Sequence, residues 1–199
     1  MLTKELQILV EHNDLSYWVD SNSNRLIKDL QSYPTVVLIC DLNTRPYADQ
    51  LSENFENFIV EEIPEGEISK SFRQLEEICE SLAGKIDRKT AIVAVGGGVV
   101  GDFAGFLSAI LLRGLDFFLV PTSLLSMVDS SIGGKTGINS LSGKNMIGSF
   151  YQPSLVVSDI DFLKSLPKKE MICGYAEILK HSLIKNKTFF KFLEKNFNK

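Results

Sequence analysis

Residues 35–40 (TVVLIC) are apolar without interruption and mostly β-branched, the pattern of a strand covered on both faces. FIVEEI at 58–63 predicts a shorter strand. From 67 to 83 the apolar residues Ile68, Phe72, Leu75, Ile78, Cys79 and Leu82 recur at helical spacing, and Gly84 follows where a helix would close. TAIVAV at 90–95 is a further buried strand. It runs into Gly96-Gly97-Gly98 and then an apolar helix reaching about Leu112; DFFLVP at 116–121 is again strand-like.

This rhythm of strand, helix, strand, glycine turn, helix and strand predicts an α/β fold with a doubly wound sheet. From about Asp161 the texture changes. Residues 161–166, 168–187 and 188–197 all read as helical with no strand between them, which predicts a boundary near residue 165. On this reading 1–165 is one α/β domain. Residues 166–199 are then the first helices of a second, all-helical domain, roughly 30 residues that are too few for a core of their own.

Composition narrows the function. The chain has 199 residues, 44% hydrophobic and 23% charged, with a net charge of −4. Acids and bases are interspersed, so no basic face points to nucleic acid. Cys40, Cys79 and Cys173 are scattered and odd in number, which fits neither a disulfide framework nor a metal pair and suits a reducing, cytoplasmic setting. The opening MLTKELQILVEHND carries charges inside its apolar stretch, unlike a signal peptide. The longest apolar run, Phe103 to Leu112, is too short to span a bilayer, so no membrane partner is expected.

Four stretches carry candidate chemistry. In GGGVVGD, Gly96, Gly98 and Gly101 satisfy G-x-G-x-x-G between a strand and a helix. There a side chain would keep a pyrophosphate from the helix N-terminal amides, although a tightly packed turn needs the same residues. VPTSLLSMVDSS offers Thr122, Ser123, Asp129, Ser130 and Ser131 at the end of a strand, where they can face a ligand or cap a helix. GGKTGINSLSGKNMIGSF at 133–150 holds Lys135, Lys144 and Asn145 on five glycines. A solvated hairpin would explain the glycines. It would not explain the interleaved Ile138, Met146, Ile147, Phe150 and Tyr151, which predict polar groups held over apolar packing. In GYAEILKHSLI, Glu177, Lys180 and His181 fall on one helix face, as an exposed ion pair or as two metal donors. The other histidine, His12, lies far off in sequence, and zinc takes three or four protein ligands.

Together GGGVVGDFAGF, LLRG, VPTSLLSMVDSSIGGKTGIN, GKNMIGSFYQP and GYAEILKH resemble the 3-dehydroquinate synthase family, in order and spacing from about Asp41 to the end of the chain. The resemblance implies an NAD-binding α/β domain followed by a mostly helical metal-binding domain. It also implies a small phosphorylated sugar-acid substrate, 3-deoxy-D-arabino-heptulosonate 7-phosphate, cyclised to 3-dehydroquinate with loss of phosphate. The cofactors implied are NAD and a divalent metal, zinc or cobalt, and the assembly a homodimer. Carried over residue by residue, Gly97, Gly98, Val99, Gly101 and Asp102 match the pyrophosphate loop. Asp41, Asn43, Glu67 and Lys70 match the adenosine side, with Thr122, Ser123, Lys135, Lys144, Phe162 and Ser165 completing the cofactor set. Arg113, Asp129, Lys135, Asn145 and Lys180 match substrate residues, and Glu177 the metal carboxylate. His181 matches no ligand, so the resemblance sets the Glu177–His181 pair aside.

Ser123 and Ser165 stand where the family usually has threonine, which keeps the hydroxyl. The family's other two metal ligands are histidines beyond residue 199, a place neither His12 nor His181 can take. The chain is therefore expected to be the front part of the enzyme and inactive alone. Two other readings are a metal-dependent polyol dehydrogenase, whose ligands would be an aspartate and histidines where this chain has Glu177 and Lys180, and an NAD-binding module without catalysis.

Overall fold

A computed structural model describes residues 4–10, 13–20 and 24–196. His12 lies outside them. The strands are β1 (Lys4–Val10), β2 (Asn13–Asp20), β3 (Thr35–Asp41), β4 (Phe58–Ile63), β5 (Thr90–Gly96), β6 (Asp116–Pro121), β7 (Lys135–Ser140), β8 (Gly143–Phe150) and β9 (Leu155–Asp159). The helices are α1 (Asn24–Leu30), α2 (Arg45–Ser52), α3 (Phe72–Leu82), α4 (Gly98–Ile110), α5 (Lys168–Lys185) and α6 (Lys187–Asn196). Seven strands form one sheet in the order β1-β2-β9-β6-β5-β3-β4, parallel except for the β1–β2 pair, while β7 and β8 make a separate antiparallel hairpin.

The unbroken apolar runs are buried on both faces, as expected of central parallel strands. Val37 and Ile39 of β3 join a core with Phe103 and Leu107 of α4 and with Ile138. Val36, Leu38 and Cys40 face the other way, onto Leu26, Leu30 and Ala48 of α1 and α2. Burial pushes the Cys40 thiol up to about 12, so it stays protonated and unreactive.

The crossover from β3 to β4 runs through α2 on one face, and that from β5 to β6 through α4 on the other. The winding direction reverses between β3 and β5. Ligands of open α/β sheets lie at such a reversal, outside the carboxyl ends of the strands.

Three expectations need correction. The helix anticipated over 67–83 begins at Phe72, with the Ser71 hydroxyl accepting from the Gln74 amide at its start; Glu67–Ser69 is a separate 3₁₀ turn. Ile68 and Phe72 are accordingly exposed rather than buried. The segment anticipated as a helix over 161–166 is a 3₁₀ turn at Ile160–Lys164. The stretch 133–150 is a hairpin, resting on α4 through buried Ile138 and partly buried Ile147, whereas Met146 and Phe150 face outward.

Among the described residues, no helix is long and apolar enough to cross a membrane.

Candidate functional site

β3 and β5 end at Asp41 and Gly96, and a cleft of about 760 Å³ opens outside them. Lining it are Asp41, Asn43, Glu67, Lys70, Gly97, Gly98, Val99, Asp102, Thr122, Ser123, Phe162 and Ser165. The site expectations thus converge here from five separate connections. Gly97 leads into α4, whose first amides have no intrahelical acceptor and lie where an anion would be stabilised. A Cβ on Gly98 would meet Ser130 Oγ at 3.1 Å, so even one carbon would crowd this mouth. Gly101 does not line the cleft; a Cβ there would meet Leu119 at 3.3 Å, making it a packing glycine between helix and sheet.

At the rim, Asp41 Oδ1 accepts from the amide and hydroxyl of Thr44 at 3.0 Å each, which closes the turn into α2. Phe162 packs edge-on against Tyr47 with ring centroids 4.7 Å apart, and the Tyr47 hydroxyl meets Ser165 Oγ at 2.8 Å. Ser123 Oγ both faces the cleft and accepts from the Ser126 amide at 3.3 Å, so the ligand and capping roles coexist in one hydroxyl.

The centre is a knot around Lys70. Its ammonium, 2% exposed, donates to Asp102 Oδ2 at 2.5 Å and to Asn145 Oδ1. Burial raises the Asp102 pKa and Lys70 opposes the rise. Asn145 takes a left-handed backbone (φ 55°), and its amide donates to Asn139 Oδ1 at 2.9 Å. Asn139 in turn donates to Glu67 Oε2 at 2.8 Å, and its backbone amide to the Lys70 carbonyl at 2.8 Å. The hairpin is thereby fastened to the Glu67–Lys70 turn. The Asn139 hydrogen bond holds the Glu67 carboxyl below its usual range, with Lys70 and Lys144 adding to the effect. Lys144 is exposed and pairs with Glu67 Oε1 at 3.4 Å; it does not line the cleft.

Asp102 and Asn145 also border a second cavity of about 380 Å³, together with Lys135, Thr136 and Ser149 of the hairpin. Lys135 therefore stands on the far side of the knot from the main cleft.

Asp129 and Lys180 meet elsewhere, where the Ser126–Ser130 turn faces α5. A π-helical turn at Ser126–Ser130 presents Asp129, and the buried Tyr17 hydroxyl supports that turn by donating to the Met127 carbonyl. Lys180 lies against Glu177 and 3.6 Å from Asp129 Oδ1. His181 Nε2 is 3.2 Å from the same oxygen. Asp129, Glu177 and His181 thus place one donor atom each within 4.8 Å of one another. Two carboxylate oxygens and an imidazole nitrogen suit a divalent cation of zinc's class. The structure brings together the Glu177–His181 pair that the resemblance set aside.

Arg113 joins none of these groups. It is exposed, lines neither cavity, and sits in a run of left-handed backbone with Leu112 and Gly114 (φ 71°, 50° and 117°). Asn139, Thr44 and Tyr47 were not singled out from sequence. For Asn139 the one available signal was its place at the end of GKTGIN.

A switch-point cleft with a glycine turn and a free helix end is the architecture of the doubly wound, ligand-binding α/β proteins. A profile of the 3-dehydroquinate synthase N-terminal region matches residues 60–173. The chain belongs to the 3-dehydroquinate synthase family. It is 42% identical over 200 residues to the 3-dehydroquinate synthase of Alkaliphilus metalliredigens, a match covering 97% of this chain and 56% of that protein. Among the first curated relatives it matches, this chain spans 35% to 56% of their length. Among solved structures it is similar to 2-deoxy-scyllo-inosose synthase complexed with carbaglucose-6-phosphate, NAD+ and Co2+, with TM-score 0.84 and 26% identity over 91% of this chain and 52% of that one. It is also similar to ValA, a 2-epi-5-epi-valiolone synthase from Streptomyces hygroscopicus subsp. jinggangensis with NAD+ and Zn2+ bound, with TM-score 0.83 and 28% identity over 94% and 54% of the two chains. Glycerol dehydrogenase structures at 18% and 22% identity share the fold alone.

Proposed function

We propose that this chain is the NAD-binding part of a 3-dehydroquinate synthase, with residues 1–165 as its cofactor domain and 166–199 as the first helices of a metal- and substrate-binding domain. The observation that carries the reading is the convergence of twelve of the fifteen implied cofactor residues, all but Gly101, Lys135 and Lys144, on one switch-point cleft. The proposed reaction is the cyclisation of 3-deoxy-D-arabino-heptulosonate 7-phosphate to 3-dehydroquinate with loss of phosphate, in the cytoplasm and as a homodimer. The cobalt- and zinc-bound cyclases, with NAD+ alongside, support the cofactor pair.

When bound, NAD+ supplies a reversible hydride acceptor and the divalent metal a Lewis acid. The remaining work belongs to the chain. The α4 amides neutralise the diphosphate, with Gly97 and Gly98 keeping the approach open. Asp41 and Asn43 offer hydrogen-bond partners to the ribose side, while Phe162 gives the adenine an apolar wall. Thr122, Ser123 and Ser165 add hydroxyls along the cleft, and Lys144 stands at its rim. Lys70 fixes Asp102 and Asn145 at the border between cofactor and substrate. Lys135 directs its ammonium at the anionic substrate across that border, and Asp129 and Lys180 approach from the Ser126–Ser130 turn and α5. Arg113 is assigned to the substrate by the family resemblance; its place on the surface lends no support.

To test the reading, NAD+, Zn2+ and the heptulosonate phosphate are added to the chain with and without the part of the Alkaliphilus relative that the match leaves uncovered. Phosphate release that needs both polypeptides and NAD+ is the expected result. If NAD+ binds but the mixture stays silent, the chain is an NAD-binding module and the catalytic assignment fails.

A further inference from the structure

Asn139 lines neither the cleft nor the second cavity, yet its side-chain amide is committed in full to residues that do. Nδ2 donates to Glu67 Oε2 at 2.8 Å and to the Glu67 carbonyl at 3.3 Å. Oδ1 accepts from the Asn145 backbone amide at 2.9 Å. The partners settle which way the amide faces, since a carboxylate and a carbonyl can only accept and a backbone N–H can only donate. An aspartate of the same size would still meet the Asn145 amide. It would also set a carboxylate against that of Glu67, with no donor between them.

The two partners belong to different halves of the site. Glu67 sits on the 3₁₀ turn that lines the cleft, and Asn145 on β8 borders the cleft and the second cavity together. Asn145 holds a left-handed backbone, φ 55°, which costs energy unless its surroundings fix it. The Asn139 bond to its amide does so, and the Asn145 side chain then accepts from Lys70. The Asn139 backbone amide ties the same turn again by donating to the Lys70 carbonyl at 2.8 Å. The other charged groups facing Glu67 are Lys70 on its own turn, Lys144 on β8 at 3.4 Å from Oε1, and Asp102 on α4.

We propose that Asn139 is a positioning residue for both ligands, its amide holding Glu67 toward the cofactor and Asn145 toward the substrate as one piece. It touches neither ligand and acts through those two partners. This role rests on the functional reading above, which makes the cleft the NAD+ site. It requires a donor at residue 139, so asparagine serves and aspartate does not.

The test is calorimetric titration of NAD+ into the 199-residue chain, with Asn139→Asp, Glu67→Gln and the double variant alongside. Each affinity is compared with wild type at the same pH, which removes titrations the proteins share. Asn139→Asp should bind about tenfold more weakly near pH 8, and recover toward wild type near pH 5 as the facing carboxylates take up one shared proton and regain a donor. In the presence of Glu67→Gln the amide donates from the other side, so adding Asn139→Asp should cost less than about twofold. A merely structural asparagine would show neither the pH-dependent recovery nor the rescue. Circular dichroism and melting establish that each variant is folded. If Asn139→Asp alone melts below the assay temperature, the double variant decides: affinity equal to that of Glu67→Gln supports the role, and a weaker one overturns it. A loss independent of pH, a loss undiminished beside Glu67→Gln, or wild-type affinity in Asn139→Asp near pH 8 overturns the role and leaves the functional reading standing. A wild type that binds no NAD+ overturns that reading and the role with it.

Discussion

A lysine 2% exposed must have its charge compensated where it lies, and Lys70 does so by donating to Asp102 and Asn145. Lys70→Met would leave the Asp102 carboxylate, already resisting ionisation through burial, without its counter-ion. Removing one partner of a largely buried pair should cost about 3 kcal/mol in urea denaturation. A change within experimental error would show that the knot is loose. Lys135 makes the opposite case. It is exposed, so Lys135→Ala should change stability by less than about 0.5 kcal/mol while lowering turnover of the completed enzyme by orders of magnitude. A large loss of stability with near-normal turnover would make it a structural lysine. Glu67 gives a pH signature. Its folded carboxyl titrates below the ordinary value of 4.5, so it contributes stability fully present above that value. The melting margin of wild type over Glu67→Gln should hold above pH 4.5 and close as pH falls below it. A margin independent of pH would mean the carboxylate is idle. Gly98, Thr122 and Ser123 are legible because the glycine turn and the end of β6 locate themselves in sequence, whereas Asp41, Asn43, Glu67, Lys70, Phe162 and Ser165 follow only from the family resemblance. Asn139 is not legible, because its partners Glu67 and Asn145 come within reach only when the hairpin docks.

Between elements, the critical contact is that of the hairpin on α4. A Cβ on Gly105 would sit 2.4 Å from Thr136 Cγ2 and 3.1 Å from Phe117 Cε1. Thr136 cannot simply turn aside, since its hydroxyl donates to the Ser149 carbonyl at 3.0 Å across the hairpin. Gly105→Ala should therefore cost about 1–3 kcal/mol. It should also speed hydrogen exchange over 135–150 more than in the central strands. Unchanged exchange there would mean the hairpin is held by Asn139 alone. The parallel strands β3, β5 and β6 were legible as continuous apolar runs. β9 (LVVSD) is not legible in the sequence because only its first three residues are apolar, and five residues carry too little pattern to stand out. The sequence pattern draws the Glu67–Ser69 turn into α3 because Ile68 falls in helical register with Phe72; the Ser71 cap sets the true start.

At the scale of the molecule, α5 and α6 leave Ile172, Leu183, Ile184, Phe189 and Phe192 exposed. Isolated apolar side chains are ordinary on a surface, but a group on two consecutive helices promotes association. The chain alone should self-associate in sedimentation, and Leu183→Glu with Ile184→Glu should return it to monomer. A wild type that is monomeric throughout would show that this face needs no cover. The claim on which the whole account rests is that the switch-point cleft takes NAD+. Calorimetric titration of NAD+ into the chain, beside Gly98→Val, tests it most directly. The account predicts saturable one-to-one binding by the wild type and its loss in a folded Gly98→Val, whose two methyls would fill the mouth where the diphosphate must approach the α4 amides. Equal affinities in the two proteins, or no binding in either, would contradict it.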